Sequence, residues 1–597
     1  MKIHGLAFAL LLAAVAVSNP VFGQTPSAGV TGRVTDAVGA VVPGAVIRVT
    51  NLDTNISRQT VANDAGEFVL PYLNPATYVL EAQAKGFRTY KRSNFTLAVS
   101  QVLRIDIQLE VGATTETVNI TDTPSALSTE TGTRGEVTTS AEIAELPLDG
   151  RNFSDLALLT GGVIPRGDGG DGSFSANGGR GDNTGFLLDG MNNTQRRNTG
   201  VIINPPIESI QEFKMLTSGF SAEYGRYAGG MLTAVTKSGT NKLHGSLYEF
   251  IRNDVFDAKG YFDPERLKLR RNQFGATVSG PVVLPKLYDG RNRTFFLFSW
   301  DSLRQSDGSA ERALVPTPEM LRGDFSNVTG ANGRQIVLTD TVNRVPFANA
   351  QIPANRFDPV AVKLLKYFPA PNLSGGPFNF ITQGNATNRF DSFAIKLDHT
   401  IREKDRLTVG AFWRKRDTFN PVNTGRSPIP IFGSSNTPNE ALTYIRYLHT
   451  FTPTMYLEAS ANYSRRDNRE VWPNSGDSSD WATETGFKGG INNPVAAGPP
   501  YLVLTGYMPI GPAYDIPKIW AFNNYQYAGT MTWIRGAHSL KFGGDFLRMQ
   551  YFSRSYGDTR GRVNFLGRFT GHPVADFMLG WIDSDRRQLD ATGQVHE

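Results

Sequence analysis

Residue types that do metal or covalent chemistry are present in this chain, but not at the spacings such chemistry requires. Seven histidines (His4, His244, His399, His449, His538, His572 and His596) stand singly. None belongs to a His-Glu-x-x-His pair, so no zinc site is visible. Asp168, Asp171 and Asp182 sit in a Gly-rich loop from Arg166 to Gly185, without the alternating Asp spacing and closing Glu of a calcium loop. The tripeptide Arg180-Gly181-Asp182 in that loop reads as a chance adhesion motif. Thr236-Lys237-Ser238 lacks the Gly that precedes the Lys of a phosphate loop. The expectation is therefore no enzyme, no metal and no cofactor.

Strand addition is a chemistry the chain does offer. Glu116-Thr117-Val118-Asn119-Ile120 is rich in β-branched residues and free of Pro, so it suits an extended strand that joins the edge of a partner's sheet. It reads equally as the last strand of the preceding domain or as inert linker. Trp472, Trp481, Tyr501, Tyr507, Tyr514 and Trp520 fall in long irregular stretches. They suit stacking on sugars or aromatic chelators, or packing within the loops themselves.

The elements that position these residues are mostly strands. The 597 residues include 61 Gly and 34 Pro, too many breaks for long helices and too much chain for one ordinary domain. With 60 Lys and Arg against 55 Asp and Glu, net charge is only +5, and no basic cluster marks a nucleic-acid partner. Residues 1–23 carry Lys2, an apolar run from Leu6 to Val17 and Gly23 at a cleavage position, the pattern of a signal peptide. With no cysteine, the exported protein has neither disulfides nor a lipoprotein anchor. No later stretch reaches the roughly 18 apolar residues of a membrane helix, which leaves a β-barrel as the route across a bilayer.

Residues 24–112 show six or seven short alternating stretches between turn residues, a small β-sandwich. Residues 113–125 are polar and Thr-rich, as in a linker. Residues 126–238 turn to mixed α/β character, with Ser140 capping a short helical stretch to Glu145 and another at Asp155 to Leu159. From 239 to 597 the pattern is of strands long enough to span a membrane. Phe393, Ile395 and Leu397 oppose Ala394, Lys396 and Asp398, and Leu407, Val409, Ala411 and Trp413 oppose Arg406, Thr408, Gly410 and Arg414. Similar hairpins cover 441–465 and 525–550. Earlier strands fall at Leu243 to Arg252, Asn272 to Gly280 and Thr294 to Arg304, nine in all. Short turns alternate with long loops, the asymmetry of an outer-membrane barrel; a soluble sandwich or propeller is the rival.

Several phrases resemble known families. "GRVTDAVGAVVPGAVIRVTN" and "NDAGEFVLPYLNPATYVLEAQAKGF" resemble the carboxypeptidase regulatory-like domain, transthyretin-like in fold and allied to carbohydrate-binding folds. "ELPLDGRNFSDLALLTGGV", "SANGGRGDNTGFLLDGMNN" and "PPIESIQEFKMLTSGFSAEYGRYAGGMLTAVTKSGTN" resemble the plug of TonB-dependent receptors, with Gly225, Gly229, Gly230 and Gly239 at the family's glycine positions. "NQFGATVSGPV", "RTFFLFSWDSLRQ", "TPEMLRGDF" and "FDPVAVKLLKYFPAPN" resemble its Oar-like branch.

The resemblance implies a mainly β protein of the Gram-negative outer membrane: an N-terminal sandwich, an α/β plug and part of an antiparallel transmembrane barrel. It implies that Glu116, Thr117, Val118, Asn119 and Ile120 form a TonB box contacted by the inner-membrane TonB complex. The implied function is energised uptake of a large solute such as a siderophore, oligosaccharide or peptide through an outer-membrane lipid bilayer. The alternative is an anchored carbohydrate-binding or adhesion protein whose sandwich is the binder. Nine strands against about 22 in a plugged transporter, and an end at Gln594-Val595-His596-Glu597 without a terminal aromatic, predict a C-terminally truncated barrel.

Overall fold

The computed structural model describes residues 27–587 apart from 114–116, 121–131, 146–150, 166–173, 196–199, 262–265, 331–332, 375, 423–428, 474–483, 488–497, 536–537 and 556. The expected signal segment, Glu116, Asp168, Asp171 and Trp481 lie outside the described residues.

Alternation builds the first unit. β1 (Ala28–Asp36), β2 (Val46–Asn51), β3 (Ser57–Val61), β4 (Glu67–Leu73), β5 (Ala76–Gln83), β6 (Thr89–Leu97), β7 (Val102–Arg104), β8 (Ile107–Leu109) and β9 (Thr117–Ile120) form two sheets. One runs β4-β1-β7 with β8 also on β1; the other runs β3-β2-β5-β6-β9. Every second side chain faces the other sheet, so Ile47 and Val49 of β2, Phe68 and Leu70 of β4, and Leu80 of β5 are buried in one core. Each stabilises the sandwich by about 1.5–3 kcal/mol through removal from water.

The central unit is a five-stranded sheet. Its strands are β10 (Arg134–Thr139), β11 (Gly185–Leu188), β12 (Met191–Asn192), β13 (Ile210–Ser218) and β14 (Met231–Thr236), in the order β10-β13-β14-β11-β12. The helix expected from Ser140 spans Ser140–Glu145, but its cap is one residue earlier. The Thr139 amide donates to Glu142 Oε2 at 2.7 Å, and the Glu142 amide donates to Thr139 Oγ1 at 3.4 Å. A Thr three residues before a Glu satisfies two free amide groups reciprocally, which Ser140 cannot do from inside the helix. The second helical stretch is a 3-10 helix, Phe153–Leu159.

Nine long strands follow as an antiparallel meander: β15 (His244–Asn253), β16 (Leu269–Pro281), β17 (Thr294–Ala313), β18 (Phe380–Arg402), β19 (Asp405–Asn420), β20 (Asn439–Thr452), β21 (Met455–Val471), β22 (Lys518–Arg535) and β23 (His538–Ser555). Each pairs with its sequence neighbours, and a short strand, Ser434–Asn436, bridges β19 and β21 at one end. Parity is as the alternation predicts. Ala394, Lys396, Phe412, Arg414, Tyr456 and Glu458 are buried on the inner face, whereas Ile395, Leu397, Val409 and Trp413 are exposed on the outer. Several strands outrun the membrane span expected for them; β18 has 23 residues, because backbone pairing with β17 continues past the lipid-facing stretch.

At the short-turn end, β18 turns into β19 between Arg402 and Asp405, and β20 into β21 between Thr452 and Met455. The opposite end carries long loops that share a core of their own. Phe325, Leu338, Ile352, Phe432, Leu504, Ile516, Phe565 and Phe577, drawn from separate loops and from the chain after β23, pack into one cluster.

Candidate coupling strand and the seat of the central unit

Of the proposed coupling residues, Thr117, Val118, Asn119 and Ile120 form β9, which runs parallel to β6 with Thr89 opposite Thr117 and Arg92 opposite Ile120. Four residues of the expected linker are thus a strand. β-branched residues favour extended backbone, and β6 would otherwise present a bare edge of peptide groups. β9 is the last strand of its sheet, so the segment already makes by strand addition the kind of contact expected of it with a partner.

The central unit sits on the concave inner face of the large sheet. Its apolar core is continuous with Ala394, Phe412, Leu442 and Tyr444 of β18 to β20. Where its last strand runs into the wall, a Cβ at Gly239 would overlap the carbonyl oxygens of Gly280 and Phe296. Only glycine allows that approach.

Around this apolar contact lies a polar seat that the sequence did not reveal. Asp189, in the turn between β11 and β12 with φ of 50°, is fully enclosed. It accepts hydrogen bonds from the Thr236 amide at 2.8 Å, Thr236 Oγ1 at 2.7 Å and Tyr444 Oη at 2.8 Å. Lys396 Nζ lies 3.9 Å from Asp189 Oδ1 and donates to the Thr236 carbonyl at 3.1 Å. Arg446 Nη1 reaches the Asp189 carbonyl at 3.4 Å.

Three further groups of contacts repeat the theme. Gln526 Oε1 accepts from the Asn192 amide at 2.9 Å, and Arg466 donates to Gln195 Oε1 and the Val201 carbonyl. Arg226 pairs with Asp545, and Lys541 with Glu223 at 2.6 Å. Arg151, paired with Glu208, lies 4.1 Å above the Phe250 ring of β15. The signal the sequence offers is a charged or amide residue on the inward parity of a barrel strand, as at Lys396; its partner Asp189 falls inside the plug-like phrase "SANGGRGDNTGFLLDGMNN", which does not say what it meets.

Among the described residues no cluster of three potential metal ligands occurs. Asp182 lies in a single 3-10 turn, Gly181–Asn183. The described aromatics of this set pack within the protein, and Trp520, expected in an irregular stretch, lies in β22 because the strand's pairing extends back to Lys518. Trp472 is buried and donates to the Ile431 carbonyl at 2.9 Å, and Tyr501 packs on Tyr514 with ring centroids 5.5 Å apart. Tyr507 reaches His572, and Trp520 packs on Phe522.

Comparison with known proteins fits this architecture. The model of the outer membrane beta barrel domain family matches residues 235–596. The chain belongs to that family. This barrel protein also matches the carboxypeptidase regulatory-like domain over residues 29–110. It is similar to the TonB-dependent transporter Oar of Myxococcus xanthus, with 30% identity over an alignment of 281 residues that covers 44% of this chain and 26% of that relative. The match therefore spans about a quarter of the curated relative's length.

Among solved structures it is similar to the outer membrane transporter YddB from Escherichia coli, with 11% identity and a TM-score of 0.44 over 72% of this chain and 50% of that one. A mutant ferric enterobactin receptor from Pseudomonas aeruginosa gives 12% identity and a TM-score of 0.40 over 70% and 49%. Family membership and the Oar relative place this barrel in the outer membrane of a Gram-negative bacterium.

Proposed function

We propose that this outer-membrane barrel is a TonB-dependent receptor that takes up a large solute, a siderophore, oligosaccharide or peptide, at the expense of inner-membrane energy. The central unit acts as its plug, and Glu116, Thr117, Val118, Asn119 and Ile120 act as the segment that TonB pulls.

The observation that carries this reading is the seat. The central unit meets the wall through a limited apolar contact at Ala394, Phe412, Leu442 and Tyr444 and, around it, through polar groups. Here Asp189, Asn192, Gln195, Glu223 and Arg226 meet polar partners on the wall, contacts that water replaces at modest net cost when the unit moves. The segment just before it is a terminal β-strand that a pulling partner reaches by strand addition. The Oar relative is itself named a TonB-dependent transporter.

Adhesion by the sandwich is the weaker reading. The sandwich touches the short-turn end of the barrel through Asn55 with Asn292 and Thr60 with Pro453. Short turns face the periplasm in such barrels, which puts the sandwich on the side away from external surfaces.

The test is deletion of residues 114–121 from the full-length protein, with growth scored on a panel of ferric siderophores, oligosaccharides and peptides as sole iron or carbon source. Uptake should vanish while the barrel still reaches the outer membrane in heat-modifiable, folded form. Uptake that survives the deletion removes the coupling role.

A further inference from the structure

The sandwich makes more contact with the barrel than a tethered adaptor requires. Tyr72, at the end of β4, is held in the left-handed region with φ of 59°, a conformation that is strained for a non-glycine residue and persists where surroundings enforce it. Its ring is buried 6.0 Å from that of Tyr456 on β21, and its hydroxyl lies 2.7 Å from Thr532 Oγ1 on β22. Arg58 locks this arrangement. Nη1 donates to the carbonyls of Pro71 and Tyr72, both at 2.9 Å, and the guanidinium lies 5.0 Å over the Tyr456 ring.

The docking points are spread across the inner ends of several strands. Asn55 Nδ2 donates to Asn292 Oδ1 at 3.1 Å before β17, the Asn241 amide donates to the Asp53 carbonyl at 2.9 Å before β15, and Thr60 Oγ1 donates to the Pro453 carbonyl at 3.1 Å between β20 and β21. Between the sandwich and the seat lies a cavity of about 190 Å³. Arg58, Tyr72 and Tyr78 form its sandwich wall; Asp189, Arg406 and Leu448 are among the residues opposite.

We propose that the N-terminal sandwich is an inner gate: a second closure, in series with the central unit, that seals the periplasmic mouth over this chamber and is latched by Tyr72 and Arg58. The proposal rests on the uptake reading, since a second closure matters only where solute crosses the barrel. Because β9 is hydrogen-bonded to β6 of the sandwich, a pull on the coupling segment loads the gate as well as the central unit. The pull that moves the central unit therefore also opens the exit beneath it.

These 597 residues contain no cysteine, and any cysteine elsewhere in the full-length protein is first replaced by serine. Leu448→Cys places one thiol on the barrel wall of the chamber, in the full-length protein purified at rest without TonB. A small maleimide and a bulky polymer-linked maleimide are then compared. With the gate latched, the bulky reagent should label slowly. Adding Arg58→Ala and Tyr72→Ala should raise its rate about tenfold or more, because access follows the opening equilibrium and the latch hydrogen bonds bias that equilibrium. Tyr72→Phe, which keeps the ring and loses only the Thr532 bond, should fall between, and heat-modifiable mobility verifies that each variant is folded.

Equal bulky-reagent rates in the parent and in the folded latch variants would overturn the gate. That result would leave the uptake reading intact, because this assay involves no transport. Loss of growth on deleting 114–121 reports on uptake alone.

Discussion

Burial opposes the charge on Asp189, yet Lys396 and the amide and hydroxyl of Thr236 outweigh it and hold the carboxyl below its ordinary range. Asp189→Ala leaves Lys396 enclosed without its counter-charge, a loss of about 3–5 kcal/mol for a buried pair. The urea midpoint for release of the central unit should fall accordingly, whereas Tyr444→Phe, which leaves the ion pair in place, should cost about 1.5–3 kcal/mol, the value of a hydrogen bond to a charged group. Glu212 on β13 behaves oppositely. Burial against the sandwich loop pushes its carboxyl up to about 7, with the Val99 backbone hydrogen bond and Lys214 pulling weakly back. A raised carboxyl contributes stability that is full below its unfolded value near 4.5 and lost as pH rises through about 7. The sandwich contact should therefore loosen from pH 5 to pH 8 by on the order of 3 kcal/mol. Glu212→Gln should abolish that dependence in hydrogen exchange of β13. In the outer loops, burial lowers the His572 imidazole to about 4, so its neutral form supports the loop core above pH 6.5 and that support is lost as pH falls toward 4. Protease cutting of residues 314–379 should rise over that window, and less so in His572→Asn, which retains a side-chain acceptor for the Val574 amide.

At the scale of elements, β9 and the passage from β14 to β15 decide most. Val118→Pro removes an amide N–H from a four-residue strand and fixes φ, so uptake should drop to the level of the deletion while Asn119→Thr leaves it near normal. Gly239→Val should reduce the folded, heat-modifiable fraction in the outer membrane, because its side chain meets two carbonyl oxygens that belong to the wall itself. The strands differ from the loops in how legible they were. Inner and outer faces of β18 to β22 were readable because a strand's side chains alternate by covalent geometry. The ends were less so: a membrane-length stretch at 391–400 became Phe380–Arg402, since pairing to a neighbour rather than the strand's own composition determines where a ladder stops. The coupling segment could be read as strand or linker for the same reason. Its β-branched residues permit an edge position, but only the open side of β6 supplies one.

For the whole molecule, the local pattern determined the β class, the sandwich between turn residues, the succession of nine long strands and the asymmetry of turns and loops. Each of these follows from period-2 alternation and turn chemistry, which act over a few residues. Only tertiary structure decided which distant groups meet: Asp189 with Lys396 and Tyr444, Tyr72 with Thr532, and Phe325 with His572 at a ring distance of 5.1 Å. Those contacts depend on the curvature and register of the sheet. A single side chain such as Lys396 carries inward parity in the sequence but no information about the partner that curvature brings to it.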